Sequence, residues 1–320
     1  MSYKITAIGE ILIDLTQIGV NSANIPLFAA NPGGAPANVA VAAARLGAKS
    51  AFIGCIGRDA YGKQLQGTLE ADGINIEGLY VTDSAPTTLA VVNVDSNGER
   101  SFQFYRHPGA DIFLSFENIP VSILDKTDIL HFGSVSLTDE PSRSATLSTV
   151  KYVRKQGKLI SYDPNYRAAL WSDKDKAITM MRQPLPMTDI LKISDEETYL
   201  LSGHEDPEAA AVYLEKLGIS LVMVTLGADG VLYRCHGKTG TVPGYSVTVS
   251  DTNGAGDTFL GAVLTKLAGR QGGLSDLPET ELRQILSYAN AAAALTTSRP
   301  GAIPAMPAEA EVTYFLRQRA

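Results

Sequence analysis

Short runs of apolar and β-branched residues alternate along the chain with longer segments in which apolar residues recur at helical spacing. The short runs predict strands over 3–9, 50–54, 128–132, 158–162, 189–193, 220–225 and 231–234. The longer segments predict helices over 37–46, 61–72, 142–156, 196–202, 207–217, 255–268 and 279–298. Such alternation is typical of βαβ units, in which helices cover both faces of a mostly parallel sheet. The pattern therefore predicts one continuous α/β domain over 1–320.

One region departs from this alternation. Residues 87–94 and 99–106 read as two strands joined at Ser96-Asn97-Gly98, and Asn-Gly is a strong hairpin signal. The second strand alternates polar and apolar residues, which suits a strand with one face in water. From the residues alone, an edge hairpin and a lid over a binding site are equally good interpretations.

Composition narrows the class of protein. Hydrophobic residues make up 45% of the chain and charged residues 19%, so the chain can bury a large core and is not of the disordered class. The net charge of −7 argues against a nucleic-acid partner or an anionic membrane surface. No apolar run is long enough to span a membrane, and two isolated cysteines, Cys55 and Cys235, form no disulfide framework. We expect a cytoplasmic protein.

The stretch Asp251-Thr252-Asn253-Gly254-Ala255-Gly256-Asp257 carries the clearest chemistry. It follows a strand-like segment at 245–250 and opens a predicted helix, where backbone amides and the helix dipole favour an anion such as a phosphoryl group. It is neither a Walker loop nor a dinucleotide fingerprint, because the glycines that those motifs require are absent. By itself, Asp257 is most simply an acid that compensates a helix dipole. Beside a phosphate site, it can instead accept a proton from an attacking hydroxyl.

A second constellation, Gly33-Gly34-Ala35-Pro36-Ala37-Asn38, leads directly into a predicted helix. The glycines permit close approach of the backbone, and Pro36 suits the first helical turn. Asn38 offers the donor and the acceptor that a sugar hydroxyl needs, although a glycine turn with an incidental capping Asn explains the residues slightly better. Asp14 follows the first strand, where ligands of open α/β sheets bind.

Together these stretches resemble the ribokinase (pfkB) family of carbohydrate kinases, and most closely its fructokinase branch. The likeness runs in order from residue 8 to residue 307. It rests on 33–47 with Gly54, Gly57, Asp59 and Gly62, on 104–111, on 161–167 with Leu170-Trp171, on 192–197 and on 251–259. The resemblance implies a ribokinase-like, three-layer α/β/α fold with a small β-hairpin lid formed by about 11–30 and 87–110.

The resemblance also implies roles for individual residues. Asp257 is similar to the family's general base, and Gly254, Ala255 and Gly256 resemble its anion hole. The residues that resemble sugar ligands are Asp14, Gly33, Gly34, Asn38, Phe104, Arg106 and Arg167. Those that resemble nucleotide contacts are Lys192, Thr225, Gly227, Gly230, Asn290 and the two anion-hole glycines.

Two metal sites are implied by the same resemblance. Glu197 matches the family's magnesium-organising acid, which acts through water, but Ser194 stands where the family more often has Asn. Asp251, Asn253 and Gly301 resemble an optional site for a monovalent cation, K⁺. ATP and Mg²⁺ are therefore the expected nucleotide and metal, and a homodimer is the expected assembly.

The sequence thus predicts an ATP-dependent kinase that phosphorylates the 6-hydroxyl of D-fructose. A 2-keto-3-deoxygluconate kinase is the first alternative, since Arg106 or Arg167 would suit a carboxylate, and a ribokinase is the second. A sugar-binding regulator without catalytic activity is the alternative from another class. Such a protein would be expected to lose Asp257, Gly254 or Gly256, and all three are present.

Overall fold

The structure is a computed structural model that describes residues 2–94 and 100–319. Its strands are β1 (Tyr3–Ile8), β2 (Leu12–Val20), β3 (Pro26–Gly33), β4 (Ser50–Gly57), β5 (Asn75–Thr82), β6 (Leu89–Val94), β7 (Arg100–Tyr105), β8 (Thr127–Gly133), β9 (Leu159–Asp163), β10 (Ile190–Ser194), β11 (Leu221–Thr225), β12 (Val231–Cys235) and β13 (Lys238–Val242). Its helices are α1 (Ala35–Arg45), α2 (Ala60–Ala71), α3 (Val121–Asp125), α4 (Ser142–Lys155), α5 (Lys174–Arg182), α6 (Thr198–Ser202), α7 (Pro207–Lys216), α8 (Ala255–Gly269), α9 (Glu279–Thr297) and α10 (Glu309–Arg317).

Nine strands form a large sheet in the order β13-β12-β11-β10-β9-β8-β1-β4-β5. The strands from β11 to β5 are parallel to their neighbours, whereas β12 and β13 pair antiparallel. The strand order reverses beside β1, which lies between β8 and β4. In an open α/β sheet, this reversal opens a crevice at the carboxyl ends of the strands, where ligands bind.

Helices cover both faces of the large sheet. Successive side chains of a strand point to opposite faces, so Ile5 of β1 packs in a buried cluster with α8, α9 and α10. Ile8 of the same strand packs in another cluster with α4, α5, α6 and α7. The predicted three-layer α/β/α architecture is therefore confirmed.

A second, four-stranded sheet has the order β3-β2-β6-β7. β2 pairs antiparallel with β3 and parallel with β6, and β6 pairs antiparallel with β7. Both segments expected in the lid, 11–30 and 87–110, thus contribute to this sheet, which we call the lid sheet. The predicted turn at Ser96-Asn97-Gly98 lies outside the described residues.

One predicted strand, over 245–250, is wrong. The segment is irregular and has no neighbouring strand. Tyr245 instead packs edge-on against Phe315 of α10, with 5.5 Å between ring centroids, and its hydroxyl lies 2.8 Å from Ser287 Oγ on α9. Alternating apolar residues therefore mark a chain that runs across helices. The strands β2, β3, β5 and β13 and the helices α3, α5 and α10 were not among the predicted elements.

Helices α1 and α8 approach each other closely. A Cβ atom at Gly261 of α8 would lie 2.7 Å from Ala42 Cβ and 3.0 Å from Val39 O, both on α1. Real Cβ atoms do not come so close, so only glycine permits this spacing. Within the described part of the chain, no helix combines the length and the apolar character needed to span a membrane.

Candidate active site

A cavity lies at the carboxyl end of β1, between the large sheet and the lid sheet. Leu12, Asp14 and Phe104 line it from the lid sheet. The other lining residues follow β1 and β8 or belong to the first turns of α1 and α8 and the segment after β9: Glu10, Val135, Gly34, Ala35, Asn38, Asn253, Asp257, Asn165 and Arg167. The fold thus brings together most of the residues that the sequence places at a sugar site.

The first turn of α8 provides the anion-binding end of the cavity. Gly254 precedes the helix in a left-handed conformation (φ +75°), which favours glycine. The amides of Gly256 and Asp257 lie in the first turn, where a helix offers them no carbonyl partner. A Cβ atom at Gly256 would lie 2.9 Å from Lys192 Nζ, so the lysine ammonium lies beside these amides. The end of α8 therefore combines amides and a cation.

Asp257 is buried and held by two amide side chains. Asn38 Nδ2 donates to its Oδ2 at 2.8 Å, and Asn165 Nδ2 approaches its Oδ1 at 3.5 Å. Burial raises the pKa of Asp257 to about 6, with a further rise from Asp163 and an opposing effect of Asn38 and Lys192. The carboxyl is mostly ionised near pH 7 and can accept a proton from a hydroxyl in the cavity.

A buried ion pair connects Lys192 to the segment after β9. Lys192 Nζ lies 2.9 Å from Asp163 Oδ2, and Asp163 Oδ1 accepts a hydrogen bond from the backbone N–H of Asn165 at 3.2 Å. Asn165 has a left-handed backbone (φ +47°), which Asn tolerates better than most residues. The pKa of Lys192 is raised: burial disfavours its charge, but nearby Asp163 and Glu197 outweigh that effect. The lysine is therefore a permanent cation.

Glu197 joins two loops beside this pair. Its Oε1 accepts from Tyr166 N at 2.7 Å, and its Oε2 accepts from Ser194 N at 2.8 Å. Burial and the nearby Asp163 raise its pKa. Among residues 2–94 and 100–319 there is no cluster of three or more acidic, His or Cys side chains that could hold a metal ion.

A second acid that lines the cavity, Asp14, also has an unusual environment. Burial raises the pKa of Asp14 to about 6, while a hydrogen bond from the Asn253 side chain and nearby Arg167 act in the opposite direction. A Cβ atom at Gly33 would lie 2.3 Å from Asp14 Oδ2, and one at Gly34 (φ +108°) would lie 2.6 Å from Glu10 O. Because they lack a Cβ atom, the two glycines let the chain pass close to the Asp14 carboxyl and to the backbone of Glu10. Asn38 Oδ1 is buried and has no hydrogen-bond partner among the described residues.

Arg106 is not where the sequence analysis expects it. Its side chain is 1% exposed and does not line the cavity. Its Nε lies 2.7 Å from Asp111 Oδ2, and its two terminal nitrogens bond to Thr138 Oγ1, Asp139 Oδ2 and Val135 O. These bonds occupy the guanidinium, so Arg106 fixes the chain where it leaves β7. Arg167, by contrast, lines the cavity.

Four of the expected nucleotide residues, Thr225, Gly227, Gly230 and Asn290, lie apart from the cavity, near β11 and β12 and on α9. Gly227 and Gly230 flank a short turn after Thr225, and a Cβ atom at Gly230 (φ +98°) would lie 2.2 Å from Val242 O. Asn290 Nδ2 donates to Val242 O and Pro243 O at 3.1 and 2.9 Å. Asn290 therefore supports the backbone against which Gly230 packs.

The residues of the expected cation site also come together. Asp251 Oδ1 accepts from Asn253 N at 2.8 Å, and Asp251 Oδ2 accepts from Gly301 N at 3.0 Å. The backbone N–H groups of Ser250 and Asp251 both donate to Thr297 O. The three residues thus enclose one turn beside the start of α8.

Comparison with known proteins identifies the family. The family described as pfkB family carbohydrate kinase matches residues 2–309, nearly the whole chain. The chain belongs to the pfkB family of carbohydrate kinases. The family, the ribokinase-like fold and the carbohydrate kinase activity predicted from the sequence are therefore confirmed.

Relatives of this pfkB-family chain include probable fructokinase-4 of Arabidopsis thaliana, which is 41% identical over 98% of this chain and 96% of the relative. A crystal structure of fructokinase from Xylella fastidiosa with bound ATP has a TM-score of 0.92 and 32% identity over 99% of both chains. Fructokinase from Vibrio cholerae O395 in its fructose, ADP and calcium ion bound form has a TM-score of 0.88 and 35% identity over 98% of both chains. A double mutant of the Vibrio enzyme, described with fructose, ADP and potassium ion, covers 99% of both chains with a TM-score of 0.88 and 33% identity.

Three residues of the pfkB-family site had no predicted role in the sequence analysis: the buried Glu10 and Asp163 and the half-buried Asn165. Asn165 and Asp163 lie in the Asp163-Pro164-Asn165 stretch that contributed to the resemblance, and an Asn after Pro is a turn signal. Glu10 follows an apolar strand and had no such signal. Only the structure shows that Glu10, which follows β1, lies beside the start of α1.

Proposed function

We propose that the chain transfers the γ-phosphoryl group of ATP to the 6-hydroxyl of D-fructose, giving fructose 6-phosphate and ADP. The observation that carries the proposal is the position of Asp257: Asn38 holds it at the cavity, in the same first turn of α8 as the amides and near the Lys192 ammonium. Relatives named fructokinase, at about 40% identity over nearly the whole chain, support the choice of fructose.

The chemistry follows from this placement. Asp257 accepts the proton of the 6-hydroxyl as that oxygen attacks the γ-phosphorus, the bond from the γ-phosphorus to the β,γ-bridging oxygen breaks, and ADP leaves. Lys192 and the amides of Gly254, Ala255 and Gly256 stabilise the charge on the transferred group. Asn38 and Asn165 orient the carboxylate, which keeps the proton acceptor aimed at the sugar.

Magnesium fits this region as an ion held mainly by the nucleotide. Mg²⁺ keeps several waters and needs one or two carboxylates in addition to phosphates. Both oxygens of Glu197 bond to backbone amides, and a carboxylate oxygen has a second lone pair that can still accept from a metal-bound water. Bound Mg²⁺ would neutralise phosphate charge, with Glu197 as its outer contact.

The charges of the cavity favour a neutral sugar over a carboxylate. Glu10, Asp14 and Asp257 contribute acids to the lining, and Arg167 is the cation among the described lining residues. Arg167 lies close enough to Asp14 and Asp257 to lower the pKa of both carboxyls. A substrate carboxylate would therefore compete with two acids for one guanidinium, which disfavours 2-keto-3-deoxygluconate.

We further propose that the lid sheet closes the site and that K⁺ binds near Asp251, Asn253 and Gly301. The contribution of Leu12, Asp14 and Phe104 to the cavity supports the lid role. The turn enclosed by Asp251 supports a cation beside α8, as does the potassium described in the Vibrio double mutant. The cytoplasmic location stays a prediction.

A homodimer formed through the lid sheet completes the proposal. Large apolar side chains are exposed on the outer half of β2 and on β3 and the turn between them: Ile18, Val20, Ile25, Leu27 and Phe28. Several large apolar side chains exposed on two paired strands are typical of an interaction surface. A second copy of the chain would cover it.

A substrate panel tests the proposed activity. ADP release is measured with fructose, 2-keto-3-deoxygluconate, ribose and adenosine, and fructose should give the highest kcat/KM. A higher value for ketodeoxygluconate or ribose would replace the substrate but leave the kinase chemistry intact. ATP consumption with none of the four, in a folded protein that binds fructose, would favour the regulator.

A further inference from the structure

Glu10 is a buried acid in the sugar cavity that the mechanism above does not use. It follows β1 and precedes β2, so it lies where the chain passes from the large sheet to the lid sheet. Glu10 is 3% exposed, and it lines the cavity together with Asp14 and Asn38. The side chain therefore faces substrate and solvent only through the cavity.

The two oxygens of Glu10 have different surroundings. Oε1 accepts a hydrogen bond from Ala35 N, the first amide of α1, at 3.1 Å. Oε2 is buried and has no hydrogen-bond partner among the residues that the structure describes. Buried polar atoms are nearly always paired, and an orphaned one points to a missing ligand. Asn38 Oδ1, in the same cavity, is orphaned in the same way.

The charged groups that face Glu10 do not stabilise an ionised carboxylate. Asp111 repels its charge, and the favourable effect of Arg106 is smaller. Arg106 and Asp111 also form an ion pair with each other. On β4, the thiol of Cys55 lies near Asp111, and burial raises the pKa of Cys55 to about 12, so it adds no charge. Burial is the largest influence on Glu10 and raises its pKa to about 8.

We propose that Glu10 is a sugar-binding residue that acts as a neutral carboxylic acid, with Oε1 accepting from Ala35 N and the Oε2 hydroxyl donating to an oxygen of the bound sugar. This inference rests on the proposed function, because it takes the sugar to be the occupant of the cavity. The neutral acid supplies a donor to a cavity whose other acids, Asp14 and Asp257, act as acceptors. Neutral Glu10 also avoids a third negative charge beside the base.

Proton uptake on sugar binding is the direct test. At pH 8 about half of the Glu10 carboxyls are ionised, and binding in the neutral form should take up roughly half a proton per site. Titration calorimetry with fructose and a non-hydrolysable ATP analogue, in buffers of different ionisation enthalpy, measures this uptake. Glu10→Gln retains a neutral donor and acceptor and should bind fructose within about threefold of the wild type with no proton uptake.

Kinetics separate this role from simple support of α1. Glu10→Ala should raise the KM for fructose by about tenfold or more, the equivalent of one hydrogen bond, and change the KM for ATP little. Glu311→Ala is the matched control, since Glu311 also accepts a backbone amide at a helix start, from Ala308, but lies far from the cavity. It should reduce stability and leave the KM for fructose unchanged.

Several results would overturn the assignment. A wild type that takes up no proton at pH 8, a Glu10→Gln variant as weak as Glu10→Ala, or an unchanged KM in a folded Glu10→Ala would each do so. If Glu10→Ala fails to fold, proton uptake by the wild type and its absence in Glu10→Gln still decide. Absent fructose turnover by the wild type would contradict the proposed function, whereas normal turnover without proton uptake would contradict only the role of Glu10.

Discussion

At the scale of single residues, Asp257 shows that the role of an aspartate in the first turn of a helix depends on its surroundings. An acid in the first turn of a helix ordinarily stabilises that helix by about 0.3–1 kcal/mol. Asp257 is buried, held by Asn38, and near the Lys192 ammonium, and none of these features is needed for dipole compensation. Its surroundings are those of a proton acceptor.

Replacing Asp257 with Asn should separate these roles. The amide keeps the size of the side chain but removes its basicity, so kcat should fall by at least about 10²-fold while sugar and ATP binding persist. Steady-state kinetics with calorimetric binding measures both. Asp175→Asn, in the exposed first turn of α5, is the matched control and should leave kcat unchanged. A near-normal kcat in folded Asp257→Asn would mean that another group accepts the proton.

The pH profile should report the same carboxyl. The pKa of Asp257 is raised to about 6, so the base is ionised above that pH and protonated below it. Below pH 6, kcat/KM for the sugar should therefore fall by about tenfold per pH unit, or more steeply where Asp14, with a pKa also about 6, protonates as well. Above pH 7 the base imposes no further change. Undiminished kcat/KM at pH 5 would exclude a carboxylate base of this pKa.

Residue types and spacing sufficed to place Asp257, Asn38 and the two glycine turns at helix starts, because each has local signals, but the expected roles of Asp257 and Asn38 came from the resemblance to the family. They did not suffice for Glu10 or Asp163. Burial is a property of the assembled fold, and their neighbours Ala35 and Lys192 are 25 and 29 residues away in the chain. Arg106 bonds to protein groups and does not line the cavity, so its expected contact with the sugar stays a prediction.

At the scale of elements, the strands that the sequence missed are mostly the less buried ones, although the hairpin strands β6 and β7 of the lid sheet were predicted. β4 and the Ile5–Ile8 part of β1 are buried, and both strands were predicted. The outer residues of β2 and the first three residues of β3 are exposed, and polar residues and Pro interrupt their pattern. The alternation of apolar residues at 245–250 led to the opposite mistake, a strand expected where the structure has none. Helices can also cover one side of an extended chain, and this gives the same alternation.

The lid sheet is anchored where its last strand returns to the large sheet. Arg106 follows β7 and pairs with Asp111, and Asp111 also accepts from Thr88 Oγ1, just before β6. The anchor is almost fully buried. Loss of one partner would leave an unpaired buried charge, which costs far more than an exposed pair does.

Arg106→Ala should therefore reduce the free energy of unfolding by about 3–5 kcal/mol, as measured by denaturant titration. Arg58→Ala is the matched control: Arg58 pairs with Asp83 at 2.6 Å, but both side chains are mostly exposed, so stability should change little. If Arg106→Ala matched its control in stability and raised only the KM for sugar, Arg106 would contact the sugar after all.

At the scale of the whole molecule, the lid sheet is the part that most needs a partner. It has two sheet edges, β3 and β7, and exposes Ile18 and Phe28, whereas the large sheet is covered on both faces. Exposed edges and apolar side chains on one small sheet favour pairing with another copy.

Phe28→Asp combined with Ile18→Asp should shift the protein from dimer to monomer in analytical ultracentrifugation, because two carboxylates would be buried at the interface. Tyr314→Asp on α10 is the control, since Tyr314 is as exposed as Ile18 but lies outside the lid sheet. An unchanged dimer in the double variant would place the interface elsewhere. A monomeric wild type would contradict the assembly itself.

The close approach of α1 and α8 matters for deciding which duplicated copies of such a gene still encode an active enzyme. Asn38 and Asp257 lie on these two helices, and their 2.8 Å bond depends on a spacing that Gly261 permits. A duplicated copy that acquired Ala at 261 would retain every chemical group of the reaction and still misalign its proton acceptor. A survey that calls a paralogue active because its substrate-binding residues and Asp257 are present would wrongly count such a copy as active. Position 261 should therefore be compared together with position 257 when such a copy is judged.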